Sequence, residues 1–469
     1  MSSKRFLNVF LLAMFNLAIM ASLRNLPIVA EYGFGCIFLF LVVALVFLIP
    51  SALVSAELAT GWTKTGGVYV WVKEALGPRW GFFAIWMQWV HDVTWFPAIL
   101  TFVASMLAYL FDPALVENKA YVLSVILVSF WGMTLLNLLG LKVSSWASVL
   151  GVIIGTLIPG VLIIGLAISW FSSGYPLQIA FNFDHFFPEL THIHDLAFLA
   201  GMFLAFGGLE VNAVHAREVQ NPQKNYPRAI LLSAFLAFTV LSLGSLAIAV
   251  VIPQKEISLV AGLLQTFQVM LEPFHLLFLL PVLAIMIVIG AMAEVNAWII
   301  GPVRGLYATA KHGDLPIFFQ KKNKKDVPST LLYFQAIIVT FVSLVILFMP
   351  SSSSAFWILS ALTALLYLSM YVLLFISAIV LRYTHPSVER SYKIPYKNYG
   401  MWVIASLGIL SSVFAFLLGF VPPSQINVGS LWFYESFLII GLLSMWAIPL
   451  VIYSLKKDDW FHHYHQNKG

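Results

Sequence analysis

Residues 20–33 read MASLRNLPIVAEYG. An almost wholly apolar run from Phe6 to Ala21 comes before them. Then Arg24, Asn25 and Pro27 arrive together, and Glu31 follows. A hydrophobic span with its charge and its breaker in the middle is a helix in two halves. Pro27 suits the first turn of a restarted helix, where its missing N–H is no loss. The backbone groups freed at Ser22–Pro27 must line a cavity, because lipid cannot hydrogen-bond them.

The rest of the chain supports a membrane reading. Of 469 residues, 61% are hydrophobic and 10% charged, against about 25% charged in soluble domains. Long apolar runs recur from end to end, as in a polytopic membrane protein. Fifteen Trp and seventeen Tyr suit two interfacial belts. Cys36 is the single cysteine, which excludes an intrachain disulfide and a cysteine metal cluster. Lys4 and Arg5 imitate the start of a signal peptide. No small-residue cleavage site follows, and Arg24 and Asn25 stand where cleavage would occur, so the first helix reads as retained.

Twelve spans are predicted, near 6–30, 36–59, 81–110, 120–141, 146–171, 194–216, 228–252, 274–310, 328–349, 355–381, 400–421 and 432–455. The longest loops fall near 60–80, 172–193, 311–327 and 382–399. Residues 1–455 form one transmembrane domain, followed by a short tail, 456–469. With the N-terminus in the cytoplasm, every Lys and Arg falls inside except Lys119 and Lys255, which fall outside, and Arg24, within a span. An odd number of spans would destroy that bias, so both termini are expected in the cytoplasm. The net charge of +5 is therefore a topology signal and not a nucleic-acid footprint.

A second break answers the first. Five spans later the sixth span contains FGGLE, Phe206–Glu210. Gly207 and Gly208 loosen the helix and a carboxylate follows at once. Five is odd, so the second copy enters from the opposite face. The fold class is thus an all-α integral membrane protein with a five-plus-five inverted repeat. Repeat one spans about 6–171 and repeat two about 194–381, with two added helices over about 400–455. Broken helices in such repeats form the binding site near the bilayer midplane.

Charge inside a bilayer costs about 2.5–3.5 kcal/mol or more for each central group. Asp92, Glu210 and Glu294 are the carboxylates so placed, and Arg24 is the one deep basic residue. In the third span, WMQWVHDVTWFP puts Asp92, Trp95 and Phe96 on one face by three- and four-residue spacing. In the eighth, GAMAEVNAWIIGP aligns Gly290, Glu294 and Trp298. In the tenth, LLYLSMYVLL aligns Tyr367 and Tyr371, whose hydroxyls need partners. His91 reads as a packing histidine in preference to a proton-linked partner of Asp92. Glu57 and Glu435, near span ends, read as structural. The histidines of KKDDWFHHYHQNKG, His462, His463 and His465, read as a solvated tail in preference to a weak metal site. No G-x-S-x-G, H-E-x-x-H or P-loop appears, so neither an enzyme nor a metal, nucleotide or redox cofactor is implied.

Three strings carry a family resemblance: AELATGWTKTGGVYVWVKEALGPRWGF at 56–82, GGLEVNAVHAREVQNPQKNYPRAI at 207–230 and AEVNAWIIGPVRGLYATAKHGDLP at 293–316. Together they resemble the amino acid–polyamine–organocation superfamily, in its glutamate:GABA antiporter branch. The match runs from about residue 10 to 455. The resemblance implies an amino-acid transporter of the bacterial inner membrane, an exchanger working by alternating access, monomer or dimer. Proton-coupled symport is the alternative, and a non-transporting amino-acid sensor the rival from another class. It also implies that Glu210, Glu294, Trp298, Tyr367, Tyr371 and a third-span aromatic, Trp89, surround the substrate.

Two departures stand out. Relatives that exchange glutamate for GABA carry a tyrosine where this chain has Arg24. Their long C-terminal plug has only a dozen residues here to match it. Arg24 has two candidate partners, a substrate carboxylate or Glu210 and Glu294. The expected recognition has the α-carboxylate at the half-helix starting at Pro27 and the α-ammonium at exposed carbonyls of both breaks, including Phe206, Gly207 and Gly208. The side chain then faces Glu210, Glu294, Trp298 and the two tyrosines.

Overall fold

Proline sets where these helices start and where they widen. Pro78 and Pro222 occupy first turns, of the third and the seventh span. The early start of the seventh span, six residues before the predicted position, follows from Pro222, since the second proline, Pro227, still lies close to the helix end. The computed structural model describes residues 7–63, 66–188, 193–211, 213, 219–423, 426–457 and 460. Among them the chain is helical, apart from an isolated bridge between Leu7 and Val219. The tail histidines His462, His463 and His465 lie outside the described residues.

Among the described residues, eleven helices are long and apolar enough to cross a membrane. They are Val9–Ala30, Gly35–Gly61, Pro78–Ala108, Lys119–Leu138, Val143–Ser172, Pro222–Val251, Leu277–Lys311, Ser329–Phe348, Ser352–Thr384, Lys397–Leu418 and Leu431–Ser454. The sixth position holds a shorter apolar helix, Ile193–Ala205, which stops at the break. The third span is nearly all buried, and the fourth, eighth and tenth pack around it.

Both breaks are physical. The first helix ends at Met20, Ala21 and Ser22 leave helical geometry, one tight turn spans Leu23–Asn25, and Leu26–Ala30 restarts with Pro27 in its first turn. The sixth ends at Ala205, and Gly208 takes a φ of +118°, open to glycine and strained for other residues. A second correspondence at the same five-span offset was missed by the sequence. Val68–Leu76 follows the second span and Gly262–Leu271 follows the seventh, both short helices with buried apolar faces.

The second and fifth spans each contain one wide π-helical turn, Ala44–Leu48 and Ile153–Leu157, just ahead of Pro50 and Pro159. Proline frees the carbonyl four residues earlier. For Pro50 that carbonyl is Val46, and Ser411 donates to it at 2.9 Å. For Pro159 it is Gly155, which lies against Gly290 of the eighth span. A Cβ on Gly155 would stand 2.1 Å from the Gly290 nitrogen. Close by, Asn137, Asn296, Ser144 and Ser148 tie the fourth, fifth and eighth spans together. Asn137 donates to Asn296 at 2.8 Å, and Asn296 donates to the Ser144 carbonyl at 2.7 Å.

On the side expected to face the cytoplasm, Glu57 is clamped. Arg382 donates to both its oxygens at 2.6 Å, the Ile394 N–H donates at 2.8 Å, and Arg390 stands 3.6 Å away. This joins the end of the second span to the end of the tenth, the structural role expected of Glu57. Asp314 similarly gathers Tyr69 and Lys456, each at 2.8 Å.

Candidate functional site

A cavity of about 20 Å³ lies at the first break, and the sixth helix reaches it through Leu204, just ahead of its own break. Arg24 and Asn25 reach it from the first span, His91 and Trp95 from the third, Glu294 and Trp298 from the eighth, and Tyr367 from the tenth. A cavity needs about 10–15 Å³ to hold one water, so an amino acid fits only if the spans move apart.

Arg24 is the central cation. It is 1% exposed, and its guanidinium lies between the rings of Trp95 and Phe356, 5.4 and 5.3 Å from their centroids. Among the described residues it donates to the Ser360 hydroxyl, at 3.4 Å, and its Nε has no partner. Glu294 is the carboxylate whose charge it feels most, with no direct ion pair among the described contacts. The Ser22 hydroxyl donates to Glu294. Two opposite buried charges thus stand at one cavity without closing on each other.

Glu210 is arranged differently. It accepts from the hydroxyls of Tyr367 and Tyr371, the latter at 2.6 Å, and from Gln88 at 2.9 Å. Three neutral donors hold it behind Tyr367, and it does not line the cavity. Tyr371 also accepts from the Gly208 N–H at 2.9 Å. Trp298 donates to the Ile19 carbonyl at 3.0 Å. One backbone group at each break is thus taken by a side chain, and the charged pair stands at the cavity as an anchor.

The ten residues singled out from the sequence sort by geometry. Arg24, Glu294, Trp298 and Tyr367 meet at the cavity. Glu210 and Tyr371 stand one layer behind. Gly207 and Gly208 pack beneath them, where a Cβ would fall 2.5 Å from Tyr367 and from Ile19. Phe206 turns to Phe40 and Phe238. Trp89 is sent elsewhere: its indole donates to Gln335 at 2.7 Å and its ring stacks on Phe334. The third-span face at the cavity carries His91 and Trp95, four residues apart. That spacing was available in the sequence. Asn25 was passed over as part of the break.

A larger cavity, about 850 Å³, opens among the loops on the opposite side from Glu57, and is walled by Glu31, Asp184, Asp195, Lys255 and Glu256. Burial pushes the Glu31 carboxyl, just beyond the first span, up to about 7. A folded value above the unfolded one means stability that is present below about pH 4.5 and lost as pH rises through about 7. Melting in detergent should therefore fall over that interval, and Glu31→Gln should remove part of the fall. An identical profile in the variant refutes the assignment.

A family model described as amino acid permease matches residues 6–443. An uncharacterised transporter of Legionella pneumophila is 41% identical over 457 residues, covering 97% of this chain and 98% of that protein. A glutamate/gamma-aminobutyrate antiporter of Lactococcus lactis is 36% identical over 435 residues, covering 92% and 86%. A probable agmatine/putrescine antiporter of the same species is 24% identical over 400 residues, covering 84% and 83%.

Proposed function

The chain belongs to the amino acid permease family, and from that premise we propose that it exchanges one amino acid for another across the bacterial inner membrane by alternating access. The observation that carries the reading is the pair Arg24, at the first break, and Glu294, on the eighth span, both buried at one cavity and not closed on each other. A zwitterion supplies what each lacks. Its carboxylate meets the guanidinium, whose planar fork suits two oxygens, and its ammonium meets Glu294. Trp95, Trp298 and Tyr367 close an aromatic wall around the side chain. The volume of about 20 Å³ suits a closed intermediate that opens to one side at a time.

This anchor treats all amino acids alike, so selectivity falls to the wall and to what lies behind it. The named antiporter relative supports glutamate and γ-aminobutyrate as first substrates to try. The distribution of Lys and Arg supports both termini in the cytoplasm, and the paired breaks and short helices support the two repeats. The resident partners are the bilayer and a small-molecule amino acid.

Proteoliposomes decide between exchange and proton-coupled symport. Exchange requires an amino acid on the far side and proceeds without a pH gradient. Uptake that needs the gradient and no internal amino acid would replace this reading with symport. Binding without any movement would replace it with a sensor.

A further inference from the structure

We propose that His91 and Asp92 of the third span form a proton-binding pair that controls the closed state of the transporter. The proposal rests on the chain being a transporter and not on which amino acid it carries. The His91 ring lies flat on Tyr367, with centroids 4.0 Å apart and planes 5° from parallel, and meets Trp298 edge-on at 5.0 Å. It therefore forms part of the cavity wall.

Its two nitrogens have different surroundings. Nδ1 is 2.6 Å from the Gln88 carbonyl oxygen. A carbonyl can only accept, so Nδ1 carries the hydrogen. In a neutral ring Nε2 then has only a lone pair, and it stands 3.2 Å from Oδ1 of Asp92. Asp92 is fully buried, and neither of its oxygens has a hydrogen bond among the described residues. Two lone pairs at that distance repel unless a proton lies with one of the two atoms. The pair thus holds one proton, as carboxylic acid beside imidazole or as carboxylate beside imidazolium, and is neutral either way.

The charged groups around it explain why neutrality matters. Glu210, from the sixth-span break, is a group whose charge acts on Asp92. The hydroxyls of Tyr367 and Tyr371 in the tenth span, and the amide of Gln88, all donate to Glu210 and leave none for Asp92. Arg24 of the first span and Glu294 of the eighth line the cavity on the other side of His91 and act on each other. Loss of the proton would leave Asp92 with an unbalanced negative charge in a buried site that already holds Glu210. The cheapest relief is to draw the third span away from the tenth, across the His91–Tyr367 stack. Closure and protonation are therefore linked, and exchange should fall as pH rises.

Two readouts test this on the full-length protein. In proteoliposomes, exchange of radiolabelled L-glutamate should fall by about tenfold per pH unit on the alkaline side of its midpoint, as for one proton. Asp92→Asn, fixed in a neutral form, should flatten that slope, whereas Glu31→Gln should leave it. A native slope retained by Asp92→Asn overturns the proposal. Infrared pH-difference spectra need neither exchange nor an identified substrate. The native protein should show a titrating carboxyl or imidazole band that disappears in both Asp92→Asn and His91→Gln. If Asp92→Asn fails to fold, His91→Gln and the native spectrum still decide. A native spectrum unchanged by His91→Gln overturns the proposal even if the transporter reading stands.

Discussion

Replacing Arg24 by alanine is expected to abolish measurable exchange of every amino acid tested, acidic or neutral. The reason lies in Glu294, whose buried carboxyl would lose the cation that balances it. Truncating one half of a buried charge pair costs about 2–5 kcal/mol, or about thirty-fold to several thousand-fold in an equilibrium constant. Binding measured by thermal shift should fall with exchange. Glu294→Gln added to Arg24→Ala should restore some thermal stability, because the stranded charge is gone. It should not restore affinity, because the ammonium then lacks its anion. Arg24→Lys is not a mild control, since a point charge replaces the planar fork. A loss confined to acidic substrates would move the role of Arg24 to the substrate side chain. Full activity with unchanged selectivity would remove Arg24 from the site.

The second large effect is expected far from the cavity. Glu57→Ala leaves the Arg382 and Arg390 guanidinium groups facing each other with no carboxylate between them. Breaking one partner out of a buried ion pair costs about 3–5 kcal/mol. The melting temperature in detergent should therefore drop sharply, and the loop through Ile394 should become open to proteolysis. Arg382→Lys should recover little, because both carboxylate oxygens are now served by one fork. A melting curve like that of the native protein would show the clamp to be dispensable.

Much of this was legible in the sequence. Arg24 with Pro27, and FGGLE with its carboxylate, announced both breaks, because charge and proline inside apolar spans are too costly to be incidental. What failed was finer. Val68–Leu76 fell within the stretch near 60–80 read as loop, and its Tyr69 reaches Asp314, 245 residues away. Trp89 was favoured in the third span, whereas His91 and Trp95 face the cavity. One residue turns a helix by about 100°, so a choice among crowded aromatics cannot be made by composition. The caging of Glu210 was out of reach for a different reason. The sequence shows a carboxylate and two tyrosines, but not that the tyrosines spend their hydroxyls on it.

The meeting of Gly155 and Gly290 has a mechanical consequence. Elsewhere the spans interlock through side chains, and one helix can move past another only if those knobs lift from their sockets. At this crossing backbone meets backbone at the two glycines, and the side chains beside them, Thr156 and Ala293, are small. A turn of the fifth span about that point changes the angle between the helices while the surfaces in contact stay the same. The crossing is a smooth bearing, set between a proline-widened turn on one helix and the Asn296 tie on the other, and it lets a stiff bundle rock with little friction at that point.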